Sequence, residues 1–257
     1  MKFLLVFLMI SASLPAQWKD LFDGKSFKGW RDVSKLNVPG TSFVIEDGAI
    51  KSVKNPQIHE DLFTTTEYTD FELEFEWKVA PGSNSGVKYR LQDAVFMNES
   101  LPRPVKKFEE VLRDEYTRHP SDRAKLKPNE KGQLYTVAFE LQLIDDDHYK
   151  DPLTPVHRTG ALYSFIAPSQ AASKKPGEWN TAKILVKGSH VEHWINGVKV
   201  VDADLKSPAI AAGAKARWGE THPVYDLLTK QPKTKSPILL QNHGDEAWFR
   251  KIRIRSL

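Results

Sequence analysis

The chain of 257 residues contains no cysteine, so it folds without disulfides and offers no thiolate to a metal or an electrophile. It also lacks any dense run of lysine and arginine. The net charge of +4 is scattered, gathering only in the closing "RKIRIRSL", which argues against a nucleic-acid partner. Past residue 16 no apolar run approaches the ~20 residues of a spanning helix, so no stable membrane insertion is expected. There is no internal repeat and no low-complexity tract. Also missing are a Gly-x-Ser-x-Gly elbow, a phosphate-binding loop and a His-Glu-x-x-His zinc helix. The two histidines of "HVEH" (190–193) would point to opposite faces of a strand, which rules that pair out as joint ligands.

What remains is an ordinary globular composition, 40% hydrophobic and 27% charged, with an aromatic-rich 11% that includes seven tryptophans. The N-terminus, "MKFLLVFLMISASLPA", has one lysine, a short apolar run, then small residues and a proline. This is secretory signal architecture, so residues 1–16 are expected to be removed and the protein exported to the periplasm or beyond.

Strand-type alternation fills most of the mature chain. "FELEFEWKV" (71–79) sets Phe71, Leu73, Phe75, Trp77 and Val79 against Glu72, Glu74, Glu76 and Lys78. "SFVIEDGAIKSV" (42–53) reads as a hairpin about Asp47-Gly48, and 181–205 as two or three strands turning at Lys187-Gly188 and Asn196-Gly197. The segment 85–91, after the turn "APGSN", is expected to pair antiparallel with 71–79. In the last strand Trp248, Ile252 and Ile254 share one face with Arg250, and Lys251, Arg253 and Arg255 share the other. Two stretches break the rhythm. Residues 92–133 carry Phe108, Val111, Leu112 and Tyr116 at helical spacing, and 206–235 allows short helical turns. Many strands without βαβ alternation predict an all-β, two-sheet antiparallel jelly-roll sandwich over 17–257, with a peripheral helical insertion at 92–133.

The polar strand faces hold the chemistry. Lys88 and Arg90 share a face on 85–91, Glu140 and Gln142 on 139–144, and Gln241 and His243 on 238–243. If these strands are neighbours in a concave sheet, a cation pair, a carboxylate, two amides and an imidazole converge. Such a set suits a polyhydroxylated ligand, while the same pattern also describes a solvated face of cross-strand ion pairs. "DDDH" (145–148) offers Asp145 and His148 as candidate ligands for a divalent cation, or else a solvated acidic loop.

Six ordered stretches, "WKDLFDGKSFKGW", "SNSGVKYR", "FELQLID", "TGALYSFIAP", "GEWNTAKILVKGSHVEHWINGVKVV" and "PILLQNHGDEAWFRKIRIR", resemble the 3-keto-disaccharide hydrolase family from about Trp18 to Leu257. The resemblance implies a concanavalin A-like jelly-roll acting on glycosides or oligosaccharides whose sugar carries a ketone at carbon 3. Cleavage there needs a general base, a cation for the enolate oxygen and an acid for the leaving group. On this reading Glu140 is the base, and Arg90, Lys88 or a bound divalent metal stabilises the enolate. His243 or His148 protonates the leaving oxygen. Gln142, Asn84 and Gln241 hold hydroxyls, with Lys88 as a further substrate contact. A non-catalytic carbohydrate-binding module and a structural surface domain are the alternatives that the same fold would host.

Overall fold

The computed structural model describes residues 17–33, 42–101, 106–116 and 120–257; the leader expected over 1–16 lies outside them. Strands come in the order β1 (Lys19–Asp20), β2 (Trp30–Arg31), β3 (Phe43–Glu46), β4 (Ala49–Ser52), β5 (Ile58–His59), β6 (Leu62–Thr64), β7 (Phe71–Val79) and β8 (Asn84–Asn98). Helix α1 (Phe108–Glu115) precedes β9 (Gly132–Ile144), β10 (Asn180–Lys187), β11 (His190–Ile195) and β12 (Val198–Asp204). Helices α2 (Pro208–Trp218) and α3 (Pro223–Thr229) then lead to β13 (Leu239–Leu240) and β14 (Ala247–Ser256).

Two sheets stack as a sandwich. One runs β12-β11-β10-β7-β14-β4-β3 with β1 added to β14, and the other runs β2-β6-β13-β8-β9-β5. Pairing is antiparallel except between β5 and β9, which are parallel. The inward residues of β7, β10 and β14 meet Val87 and Tyr89 of β8 and Phe139, Leu141 and Leu143 of β9 in one continuous core. Burying each of these large side chains contributes about 1.5–3 kcal/mol, which holds each strand's register to its apolar face. The hairpin turns fall where expected: Asp47 and Gly48 both have positive φ, as do Asn196 and Gly197, the backbone a tight two-residue hairpin needs.

Three expectations change. β8 does not pair with β7, because the turn at 80–83 is a corner that carries the chain from one sheet to the other; β7 pairs with β10 and β14 instead. In β14 a bulge at Lys251, with φ of 50°, shifts the alternation, so Phe249, Ile252 and Ile254 face inward while Trp248 and Arg250 face out. Finally, strand structure runs on through Asn98 and resumes at Gly132, so among the described residues the helical part of the 92–133 stretch is confined to α1 and a short 3-10 segment at Pro120–Lys125.

Nor is α1 peripheral. Phe108 of α1 packs edge-on against Tyr135 of β9, with centroids 5.0 Å apart, and Trp218 of α2 lies 6.1 Å from the same ring. His222 ties α1 to α3. Its Nδ1 accepts from the Val224 N–H (3.1 Å), which leaves Nε2 to donate to the Glu109 carbonyl (3.0 Å). The three helices therefore form one wall over the six-stranded sheet.

Candidate active site

Between that wall and β8, β9 and β13 lies a cavity of about 530 Å³. The floor follows from strand order. β13 pairs with β8 and β8 with β9, placing Leu239 opposite Lys88 and Lys88 opposite Glu140. Alternation turns Phe139 and Leu141 into the core, so Glu140 and Gln142 face the cavity.

Glu140 is 7% exposed and Lys88 4%. The Glu140 carboxylate lies over Gly86, where a Cβ would meet its Oε1 at 2.0 Å, so only glycine leaves room for it. The Gln241 amide bridges the pair when its nitrogen faces Glu140 Oε1 (3.2 Å) and its oxygen faces Lys88 Nζ (3.0 Å), the orientation that gives both of its ends a partner. Lys88 Nζ also donates to Asp61 Oδ2 (3.0 Å) and Thr136 Oγ1 (2.9 Å), and the Thr136 hydroxyl donates to Asp61 Oδ2 (2.6 Å). Burial pushes the Glu140 carboxyl up to about 7, with Lys88 and Arg217 pulling against it and Asp61 adding to it. Burial disfavours the Lys88 ammonium, but Asp61 and Glu140 outweigh it and hold its pKa above the usual lysine value. The result is a carboxylate that can take up or release a proton near neutral pH beside a fixed positive charge.

Glu60 is likewise buried and pushed up to about 7, chiefly by burial, but it is locked against Arg123 and does not line this cavity.

Around the floor, Gln142 Nε2 donates to Asn84 Oδ1 (3.3 Å), and the Asn84 N–H donates to Asp245 Oδ2 (3.1 Å). His243 lines the cavity with its surface open to solvent. The protein packed around its ring, then Lys88, His59 and Lys150, hold its pKa below the usual histidine range. The direction of that shift favours the neutral imidazole. A neutral imidazole is a poor proton donor to a leaving oxygen; it suits a hydrogen bond to a hydroxyl.

Six of the eight residues expected at the site thus come together: Asn84, Lys88, Glu140, Gln142, Gln241 and His243. Arg90 does not. A bulge between Tyr89 and Asp93, with φ of 54° at Arg90, turns its side chain away, and its guanidinium binds the Gly188 carbonyl (2.9 Å), the Thr234 carbonyl and Asp70 (3.4 Å). His148 also lies outside, with a side chain 70% exposed and set against Asp145. Asp145 closes a turn by accepting the N–H groups of Gly82 (2.8 Å), Asp147 (3.1 Å) and His148 (3.1 Å). Burial alone would raise its pKa, but these bonds lower it. With its lone pairs committed to backbone donors, this pair does not fit a divalent cation. Among the described residues, His190, Glu192 and Asp202 do have ligand-like spacing on the outer sheet face, but Lys199 is seated between Glu192 (3.2 Å) and Asp202.

Sequence reasoning missed Asp61, Thr136, Tyr163 and Arg217. Tyr163 falls inside "TGALYSFIAP", so that stretch signalled it. Asp61 and Arg217 carried no local signal, since each meets the site through contacts with distant parts of the chain.

A two-sheet jelly-roll whose six-stranded sheet carries a buried carboxylate and ammonium on the floor of a walled cavity defines the class, a β-sandwich with a polar cavity. Residues 17–255 match the 3-keto-alpha-glucoside-1,2-lyase-like domain, and the chain belongs to that family. It is 30% identical over 251 residues to the 3-keto-disaccharide hydrolase of Bacteroides thetaiotaomicron, covering 92% of this chain and 77% of that protein. It is also similar to two crystal structures of candidate glycosyl hydrolases from Parabacteroides distasonis. One is 26% identical with a TM-score of 0.66, covering 93% of this chain and 94% of that one. The other is 27% identical with a TM-score of 0.59, covering 94% and 100%.

Proposed function

We propose that this protein cleaves glycosides whose sugar is oxidised to a ketone at carbon 3, with Glu140 as the base that removes the carbon-2 proton. The observation that carries the reading is Glu140 itself, a buried carboxylate on the cavity floor, pushed up to about 7 and placed beside Lys88. A 3-keto group acidifies the neighbouring C–H, so a base of this strength suffices. The C2–H electron pair moves into a C2–C3 double bond as the carbonyl becomes an enolate. When the carbonyl re-forms, the C1–O bond breaks and the aglycone departs. Water then adds across the C1–C2 double bond, hydroxyl to C1 and proton to C2, giving the free keto-sugar.

A glycosidase working through an oxocarbenium-like state needs two available carboxylates. The other acids at the cavity are partnered: Glu109 is paired with Arg217 (3.2 Å), Glu99 faces His59 (4.0 Å), and Asp245 accepts from the Asn84 N–H. The departing oxygen needs a proton donor that stays protonated. Burial raises the phenol pKa of Tyr135 and of Tyr163, both of which line the cavity, so they meet that requirement. A sugar-binding module would instead offer open aromatic faces. On the outer sheet Trp18, Trp179, Trp194 and Trp248 each lie beneath a cation, Arg253 (4.8 Å), Arg250 (3.8 Å), Lys183 (4.0 Å) and Lys78 (4.6 Å). The wider groove of about 1010 Å³ on that face is lined by mutually paired Glu74, Glu76, Arg250, Lys251 and Arg253.

The deciding experiment incubates the purified protein with a 3-keto-glycoside deuterated at carbon 2, and with the unoxidised parent. Cleavage of the keto compound alone, with deuterium lost to solvent, is expected. Full retention of deuterium in the product, together with no primary isotope effect on cleavage, would remove proton abstraction from the reading.

A further inference from the structure

The reaction needs a positive charge at the ketone oxygen, and the cation nearest the base cannot make that contact. An ammonium has three N–H donors. Those of Lys88 go to Asp61, Thr136 and Gln241, at 3.0, 2.9 and 3.0 Å, in a pocket that leaves the residue 4% exposed. Lys88 therefore acts on Glu140 through its field and has no hydrogen left for substrate. Arg90 is bound elsewhere, and Lys150 is an exposed side chain.

Arg217 of α2 meets the requirement. It lines the same cavity, and its charge reaches Glu140 strongly enough to lower that carboxyl's pKa. Its Nε donates to Glu109 Oε1 of α1 (3.2 Å) and its Nη1 to Ser164 Oγ (2.9 Å). The guanidinium lies 5.0 Å from the centre of the Tyr163 ring and 4.7 Å from that of Trp218. Among the described residues Nη2 has no hydrogen-bond partner. The planar fork is thus fixed on two edges and two rings, with donors to spare, and it needs no reorganisation when charge develops nearby.

We propose that Arg217 is the catalytic residue that holds the substrate's ketone oxygen and stabilises the enolate, with Glu109, Ser164 and Tyr163 positioning it. This rests on the proton-abstraction reading above. It also gives both helical excursions a purpose, since α2 supplies the cation and α1 the carboxylate that aims it. In the first step the C2–H bond breaks, Glu140 takes the proton, and the negative charge arriving on the C3 oxygen is met by the Arg217 N–H groups. Those contacts strengthen as charge builds, so their loss falls on turnover more than on binding.

The test compares wild type, Arg217→Met and Arg217→Lys on the carbon-2-deuterated 3-keto-glycoside. Arg217→Met should lower kcat by roughly a hundred- to a thousandfold, the usual effect of removing an oxyanion donor, with KM changed far less. Deuterium washout should fall in parallel. The pH midpoint of kcat/KM should also move upward, because Arg217 no longer holds Glu140 down, and stay near the wild-type value in Arg217→Lys, which keeps the charge. Arg217→Lys keeps a charge but loses the fork, and should still lose at least roughly tenfold in kcat, which preserves the test if the methionine variant does not fold. Retention of kcat within threefold in either folded variant, with wild type exchanging deuterium normally, overturns the role of Arg217 and leaves the reading of Glu140 intact. A wild type that neither cleaves nor exchanges overturns both.

Discussion

Gly86→Ala is the sharpest perturbation of this site that replaces no ionisable group. The added Cβ would lie 2.0 Å from Glu140 Oε1, 2.7 Å from Cδ and 2.9 Å from Cγ. Ordinary carbon–oxygen contact is roughly 3.5 Å, about the optimal separation for non-bonded heavy atoms, so the carboxylate must move by more than about 1 Å. A displacement of that size at a reacting group costs on the order of a hundredfold in rate. Stability should hardly change. Gly86 lies in an ordinary strand conformation, and replacing a strand glycine recovers about 0.5–1 kcal/mol, offsetting the lost Glu140–Gln241 contact. The assay is kcat/KM on a 3-keto-glycoside, alongside urea unfolding, for Gly86→Ala, Glu140→Ala and the double variant. The expected pattern is a folded, nearly inactive Gly86→Ala and a double variant no worse than Glu140→Ala alone, since the alanine Cβ then has nothing to displace. Activity in Gly86→Ala within threefold of wild type, or losses that simply multiply in the double variant, would refute the argument.

Because Glu140 must be ionised to act, kcat/KM should rise with pH through about 7, and Glu140→Gln should lose at least roughly a hundredfold in turnover while binding changes little. The same residue weakens the fold. Its native pKa lies above the unfolded value of 4.5, so the native state holds more protons between pH 4.5 and 7 and stability falls as pH rises through that window. Glu140→Gln should therefore melt higher than wild type at pH 8. His193 has the opposite shift: fully buried between the Tyr89 hydroxyl (2.9 Å) and the Gly160 carbonyl (3.1 Å), it is driven down to about 4 by burial. The unfolded state then binds the extra proton, and up to about 3 kcal/mol is lost as pH falls from 6.5 to 4; urea midpoints in His193→Gln should lack that step. The leader reading implies a mature N-terminus near residue 17 in an exported fraction, and N-terminal sequencing of a cytoplasmic form starting at Met1 would rule it out.

Periodicity by itself determined the sandwich. Phe71, Leu73, Phe75, Trp77 and Val79 demand a buried face with a period of two, and Asp47-Gly48 and Asn196-Gly197 demand tight reversals. Both signals are local, carried by adjacent residues and their allowed φ and ψ. The same alternation put Lys88, Glu140, Gln142 and Gln241 on polar faces, and strand order then brought those faces together. Local pattern could not say that β7 and β8 belong to different sheets, because a four-residue turn serves a hairpin and a corner equally well. It placed Arg90 with Lys88, and a bulge of three residues against one separated them. Asp61 reaches Lys88 across 27 positions, and Arg217 reaches Glu109 across 108. Alternation says which way a side chain points; what it meets there depends on sheet order, bulges and helix docking, which only the folded chain decides.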